Sequence, residues 1–234
     1  MNFPTTSWSL VLAAGRGDEA ASQEALERLC QAYWYPVYVY IRSRQQSPED
    51  ARDLTQEFFF RLLDRRGLHT IETPKGRFRW FLQAAIKNFL ANEYDRSQAQ
   101  KRGGGRIFVN WEMERAEDAY RLEPADTLTP ERIFDRRWSL LLLNRIVERL
   151  REEYQRSGRA DYFDHLKDFL MGEEGPRYRD LATTIHTTEG AVKVAIHRLR
   201  RRFGEILRSE IAETVANEDE VEEELRFLAK AIKS

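Results

Sequence analysis

The sequence predicts an all-α chain of two small helical domains joined by an acidic linker. Three observations carry that expectation. Apolar residues recur at helical spacing along most of the chain, strand-like alternation is nearly absent, and Gly103-Gly104-Gly105 opens a polar, acidic stretch between two helical blocks. The divisions fall at 1–102, 103–129, 130–212 and 213–234, the last an acidic amphipathic tail. With 234 residues the chain suffices for one large domain or two small ones.

Element by element, Glu24 to Arg42 is dense in aromatics (Tyr33, Trp34, Tyr35, Tyr38, Tyr40), interrupted by Pro36. Ser47-Pro48-Glu49-Asp50 starts a helix: Ser caps it, Pro fits the first turn and the acids meet the positive dipole end. That helix runs to Leu63, and Thr73-Pro74 starts another that continues past Asn88 to Ser97. The linker carries Glu112, Glu114, Glu117, Asp118, Glu123 and Asp126, with room for one short strand at Ile107-Phe108-Val109. A second helical block begins at Pro130, its loops marked by Gly158 and by Gly172 to Pro176.

Composition excludes several classes. Charged residues make up 33% of the chain, yet the net charge is −1, so a nucleic-acid partner must be sought in local clusters. No apolar run approaches the length of a membrane span, and Met-Asn-Phe-Pro-Thr-Thr-Ser lacks the pattern of a secretion signal. Cys30 is alone among Leu26, Leu29 and Tyr33, which reads as a buried thiol without a disulfide framework or cysteine-built zinc site. His69, His165, His186 and His197 are scattered, and no phosphate loop, nucleophile elbow or HExxH pattern occurs. The expectation is a cytoplasmic protein that is not an enzyme, needs no metal or cofactor and does not insert into membranes.

Near the C-terminus, Tyr178, Leu181, Ala182 and Ile185 share one face of a short helix. His186-Thr187-Thr188 follows as a turn, with Thr188 placed to cap the next helix and Glu189 beside its positive end. There Val192, Ile196, Leu199 and Phe203 form the inward stripe, and Gly190, Lys193, Val194, His197, Arg198 and Arg201 lie opposite. A basic outer face after a tight turn is the geometry of a helix-turn-helix laid in the major groove. Lys193, Val194 and His197 then reach base edges, while Arg198, Arg201 and Arg202 suit phosphates. The competing reading is an ordinary solvated, Arg-rich helix face.

In the Ser47 helix, Ala51, Leu54, Phe58 and Leu62 point inward, and Asp53, Gln56, Glu57 and Phe60 share the outer side. A phenylalanine framed by acids fits a protein partner, unless Phe60 packs under a neighbouring helix. In the following helix Phe78, Leu82, Ala85 and Phe89 face inward, against an outer side of Trp80, Ala84, Lys87, Ala91 and Tyr94. Aromatics interleaved with cations suit stacking on exposed bases, and Arg96, Lys101, Arg102 and Arg106 extend the positive strip. Aromatic helices also serve as plain core, which is the alternative.

These pieces in this order resemble the extracytoplasmic-function sigma factors, over nearly the whole chain apart from the linker and tail. Ala25 to Leu29 through Tyr40-Ile41-Arg42 is similar to the first helix of that family's second conserved region. Pro48-Glu49-Asp50-Ala51-Arg52-Asp53-Leu54-Thr55-Gln56-Glu57-Phe58-Phe59 resembles its polymerase-binding helix and is the most specific match. Phe78 to Leu82 followed by Lys87-Asn88 resembles the segment that melts and reads the −10 element. The family's usual Trp aligns with Phe81, Trp80 is shifted by one, and Asn92 stands where the family carries an acid. Tyr178 to Phe203, including Glu189-Gly190-Ala191-Val192-Lys193, resembles the fourth region, which reads the −35 element.

The resemblance implies a sigma factor that binds core RNA polymerase through Asp53, Gln56, Glu57 and Phe60. It implies −10 contacts from Trp80, Lys87, Asn88, Tyr94, Arg96, Lys101 and Arg102, and −35 contacts from Gly190, Lys193, Val194, His197, Arg198 and Arg201. Core RNA polymerase and promoter DNA are the implied partners, with an anti-sigma factor or other regulator as a further candidate. The acidic linker would lie in the polymerase's RNA path. Roughly 30 residues separate the blocks, too few for the extra domain of housekeeping sigma factors. The alternative is a helix-turn-helix regulator that does not bind polymerase, which would be expected to carry a ligand or receiver domain instead.

Two regulatory expectations remain. Thr55, between Asp53 and Glu57, is a candidate for phosphorylation that would tune docking. In the tail, Val221, Leu225, Leu228 and Ile232 share one face behind a dense acidic run. That stripe needs a cover: the C-terminal block with its basic helix, polymerase or a separate regulator, unless the end is simply frayed.

Overall fold

A computed structural model describes residues 33–44, 46–63, 77–99, 117, 120–121, 128–170, 177–215 and 217–233, with side chains through Tyr94 in the helix that ends at Ala99. All regular structure among these residues is helical, and no strand occurs among them. The strand expected at 107–109 and the Cys30 environment lie outside the described residues. Helix α1 covers 33–42, α2 Pro48–Leu63, α3 Phe78–Ala99 and α4 Pro130–Arg156. Helix α5 is Ala160–Leu166, followed by a 3-10 turn at Lys167–Phe169; α6 is Tyr178–Thr184, α7 Glu189–Ala212 and α8 Asp219–Lys233. None of the described helices is long and apolar enough to cross a membrane.

The ends of these helices follow from local chemistry. The Asp50 backbone N–H donates to Ser47 Oγ at 3.0 Å, with Pro48 in the first turn, so α2 begins where its cap dictates. Thr129 and Asn217 do the same for α4 and α8, accepting from the N–H groups of Arg132 and Glu220 at 3.4 and 3.1 Å. Beyond Arg156, α4 is closed by Gly158, whose φ of 69° lets the Arg159 N–H reach the Tyr154 carbonyl at 2.8 Å. Helix α3 begins at Phe78; the expected start at Thr73-Pro74 lies outside the described residues.

Two compact units emerge: Leu140–Ile211 is one, and the described residues of 4–139 together with 212–234 form the other. The division falls inside α4 rather than at 129/130, because one helix supplies core to both. Ile133, Phe134 and Trp138 are buried on one side of the boundary, and Leu142, Leu143, Ile146 and Leu150 on the other. The tail, expected as a separate element, belongs to the unit that holds 4–139: α8 groups with α1, α2, α3 and the start of α4.

The unit holding α1 to α3 is built on rings. Phe58 meets Phe89 at 5.6 Å between centroids, Tyr33 meets Phe78 at 5.1 Å, and Trp138 Nε1 donates to Tyr33 Oη at 3.4 Å. Arg61 bridges α2 and α3, pairing with Glu57 and Glu93 at 2.7 Å each and lying over the Phe89 ring. Part of the expected linker is fixed here. Glu117 is buried and accepts from Tyr38 Oη at 2.6 Å and from Arg42 at 3.0 and 3.2 Å. Burial pushes the Glu117 carboxyl up, but these bonds outweigh it and hold the group below the usual carboxylate range.

Candidate nucleic-acid interface and docking face

Helix α2 buries Ala51, Phe58, Phe59 and Leu62 and turns Phe60 outward, with 52% of that residue exposed. Asp53, Gln56 and Glu57 are half-buried on the flank around it. Phe59, absent from the expected inward stripe, takes the burial that Leu54 only half achieves. Packing under a neighbouring helix is therefore not the fate of Phe60. Thr55 differs from expectation: it is fully buried, and its Oγ1 donates to the Ala51 carbonyl at 2.6 Å. Four residues from Ala51, it faces the core and not the acidic flank, so a kinase cannot reach it in this conformation.

Helix α3 turns Phe78, Leu82, Ile86 and Phe89 into the core. Opposite them Trp80, Ala84, Lys87, Asn88, Ala91 and Tyr94 are all exposed, forming a continuous outer strip. Arg96 lies in the same helix with its side chain outside the described residues, as are Lys101 and Arg102 entirely.

At the N-terminal end of that strip are two arginines the sequence reading passed over. Arg77 and Arg79 are buried, and their guanidinium carbons lie 4.5 and 5.2 Å from the Trp80 ring centroid. Arg77 donates to Glu223, with its Nε 3.0 Å from Glu224 Oε2. Arg79 donates to both carboxylate oxygens of Glu224 and, at 3.1 Å, to Asp135, while its guanidinium sits 3.5 Å above Phe227. Arg79 is 2% exposed and Glu224 1%, and leaving one such partner unpaired typically costs about 3–5 kcal/mol. Their signal in the sequence was slight: two arginines flanking a buried Phe78, and an acidic run far along the chain. Burial pushes the Asp135 carboxyl up to about 6, against the pull of Arg79 and of Gln83, which donates to it at 2.8 Å.

The tail is thus covered by the unit holding α3. Val221, Glu224, Leu228 and Ala231 of α8 are buried, with Leu225 and Ile232 half-buried. The Phe78 N–H donates to the Thr214 carbonyl at 3.0 Å, so the approach to α8 satisfies an open donor at the start of α3. Glu223 and Glu224 of α8 find their cations at Arg77 and Arg79. The covers suggested by the sequence, namely the C-terminal block, polymerase or a separate regulator, do not include this one.

In the unit formed by Leu140–Ile211, α6 and α7 flank a turn at His186. Its φ is 52°, the left-handed region, which lets the Thr187 N–H reach the Ala182 carbonyl at 2.8 Å and its own N–H reach Thr183 at 3.3 Å. Thr188 Oγ1 then accepts from the Ala191 N–H at 3.2 Å, capping α7. Val192, Ile196 and Leu199 are buried, Phe203 is half-buried, and Gly190, Lys193, Val194, His197, Arg198 and Arg201 are exposed.

Charge on this outer face is partly engaged. Lys193 pairs with Glu189 at 2.9 Å and lies 5.7 Å from the Tyr178 centroid; the pair is exposed, so solvent makes it easy to exchange. The Glu189 bond holds the Lys193 ammonium above its usual range. Arg201 pairs with Glu205 at 3.2 Å along the helix. Arg202, expected at phosphates, is instead held by both oxygens of Glu153, at 2.8 and 3.0 Å. Arg198 makes no ion pair among the described residues. No group of His, Cys, Asp or Glu side chains among the described residues is arranged to hold a metal ion.

Comparison of the chain with models of known protein families, with characterised proteins and with solved structures found no match.

Proposed function

We propose that this chain is a sigma-type subunit that binds core RNA polymerase and directs it to promoters, acting in the cytoplasm where both partners reside. The observation that carries the reading is that one unit turns two different surfaces outward: Phe60 among Asp53, Gln56 and Glu57, and the strip from Trp80 through Lys87 and Asn88 to Tyr94. An exposed phenylalanine framed by acids suits a basic protein surface that can bury the ring. The aromatic and cationic strip suits unstacked bases, each of which offers a π-face, with the lysine beside the backbone. The helix-turn-helix supplies duplex binding. Initiation needs both modes, because a duplex anchor alone leaves the start site closed, and captured bases offset the loss of stacking.

Nucleotide addition belongs to the polymerase. The two-domain arrangement, −10 capture by the first domain and −35 reading by the second, is part of this proposal, as is a path for the acidic linker within the polymerase. Asp53→Lys combined with Gln56→Ala tests it. Both side chains are only half-buried, so the fold should stand, while charge reversal at the contact should cost about 2–5 kcal/mol of binding. Co-elution with core polymerase should disappear. Undiminished co-elution of the double variant would reject the docking face.

A further inference from the structure

The tail does more than complete a core. Six of the seven residues Glu218 to Glu224 are acidic, and two of them, Glu223 and Glu224, meet Arg77 and Arg79 at the end of the strip that begins at Trp80. Two kinds of ion pair hold them there. Arg79 and Glu224 are buried together and anchor α8 in place. Arg77 and Glu223 differ: the arginine side chain is 9% exposed, but that of Glu223 is 63% exposed and stands at the rim. Glu223 can therefore swing into solvent without moving the helix, whereas Arg77 stays stacked on Trp80 with Glu224 beside its Nε.

We propose that Arg77 is a phosphate-binding residue for single-stranded nucleic acid, held in reserve by Glu223, so that α8 acts as a competitor in cis. The inference rests on the strip's reading as a stacking surface. A base stacked on the free side of Trp80 brings its phosphate near the guanidinium, which suits a bidentate anion contact. With Glu223 in place that contact is filled by a carboxylate. Exchange of Glu223 for a phosphate changes one partner of an ion pair at the rim and leaves the Arg79–Glu224–Asp135 anchor intact.

Fluorescence anisotropy of the full chain with a short labelled single-stranded oligonucleotide, across a salt series, tests this. Glu223→Gln should tighten binding roughly threefold to tenfold at low salt, the scale of one regained phosphate contact, and the gain should shrink as salt rises. In an Arg77→Gln background the same substitution should change nothing. Arg77→Lys, which keeps the charge, guards against a folding defect of Arg77→Gln and should retain part of the gain. Equal affinities of wild type and Glu223→Gln would overturn the proposal, as would a gain that persists in Arg77→Gln, which marks distant repulsion instead. Trp80→Ala separates the two readings. If it weakens binding while Glu223→Gln has no effect, only the role of Arg77 falls. If neither substitution alters binding, the stacking strip falls with it.

Discussion

His186 sits where L-residues are most reluctant to go, in the left-handed conformation that closes the turn between α6 and α7. The sequence placed a turn at this position, and histidine tolerates the left-handed region better than most residues. His186→Gly should hold or raise stability, and His186→Val should lower it by about 1–3 kcal/mol, as chemical denaturation would measure. A second residue-scale expectation concerns Asp135. Its carboxyl titrates near 6 when folded, above the range of an unfolded aspartate. The folded state therefore holds the proton more tightly, and this group's stabilising contribution, full below pH about 4, is lost as pH rises toward 6. Asp135→Asn can still accept from Arg79 and Gln83, so subtracting its stability-against-pH curve isolates the effect. The difference should fall across that window, and a flat difference would contradict the assignment. Thr55 was misread for a simple reason: neighbours in sequence suggested an acidic surface, but at 100° per residue it shares a side with Ala51.

Elements were more legible than their docking. The outer faces of α2, α3 and α7 emerged from periodicity alone, because a half-exposed helix separates its apolar and polar residues by angle. The stripes were drawn too narrow, and Phe59 and Ile86 fell at their edges although both are buried. Helix α8 shows the other limit. Its apolar face was visible in sequence, but its cover depends on pairs such as Arg77 with Glu223, 146 positions apart, for which local spacing gives no signal. At this scale the proposal that α7 is a recognition helix makes a divided prediction for duplex binding by the full chain. Arg201→Ala should weaken all sequences alike and reduce the log–log salt slope by about one. Lys193→Ala should instead alter preference among sequences, since its exposed pair with Glu189 is readily exchanged for a base edge. Binding titrations against a degenerate duplex library, at several salt concentrations, distinguish the two. Relaxed specificity from Arg201→Ala with none from Lys193→Ala would mean the helix lies the other way.

For the whole molecule, the helical character of the described residues follows from the pattern of the chain, while the make-up of the two compact units does not. A Gly-rich, acidic stretch looks like a joint, yet Glu117 within it is buried against Tyr38 and Arg42, and the division lies inside α4. Composition locates the polar segment, but the long-range acceptor that buries Tyr38 cannot be read from spacing. The central claim is that these surfaces act together in starting transcription. Its most direct test is run-off transcription with purified core polymerase on a promoter library, with wild type and the Asp53→Lys/Gln56→Ala variant in parallel. Wild type should yield chain-dependent transcripts whose templates share upstream duplex and start-proximal elements, and the variant should yield none. Transcripts independent of the chain, or equal output from both proteins, would contradict it.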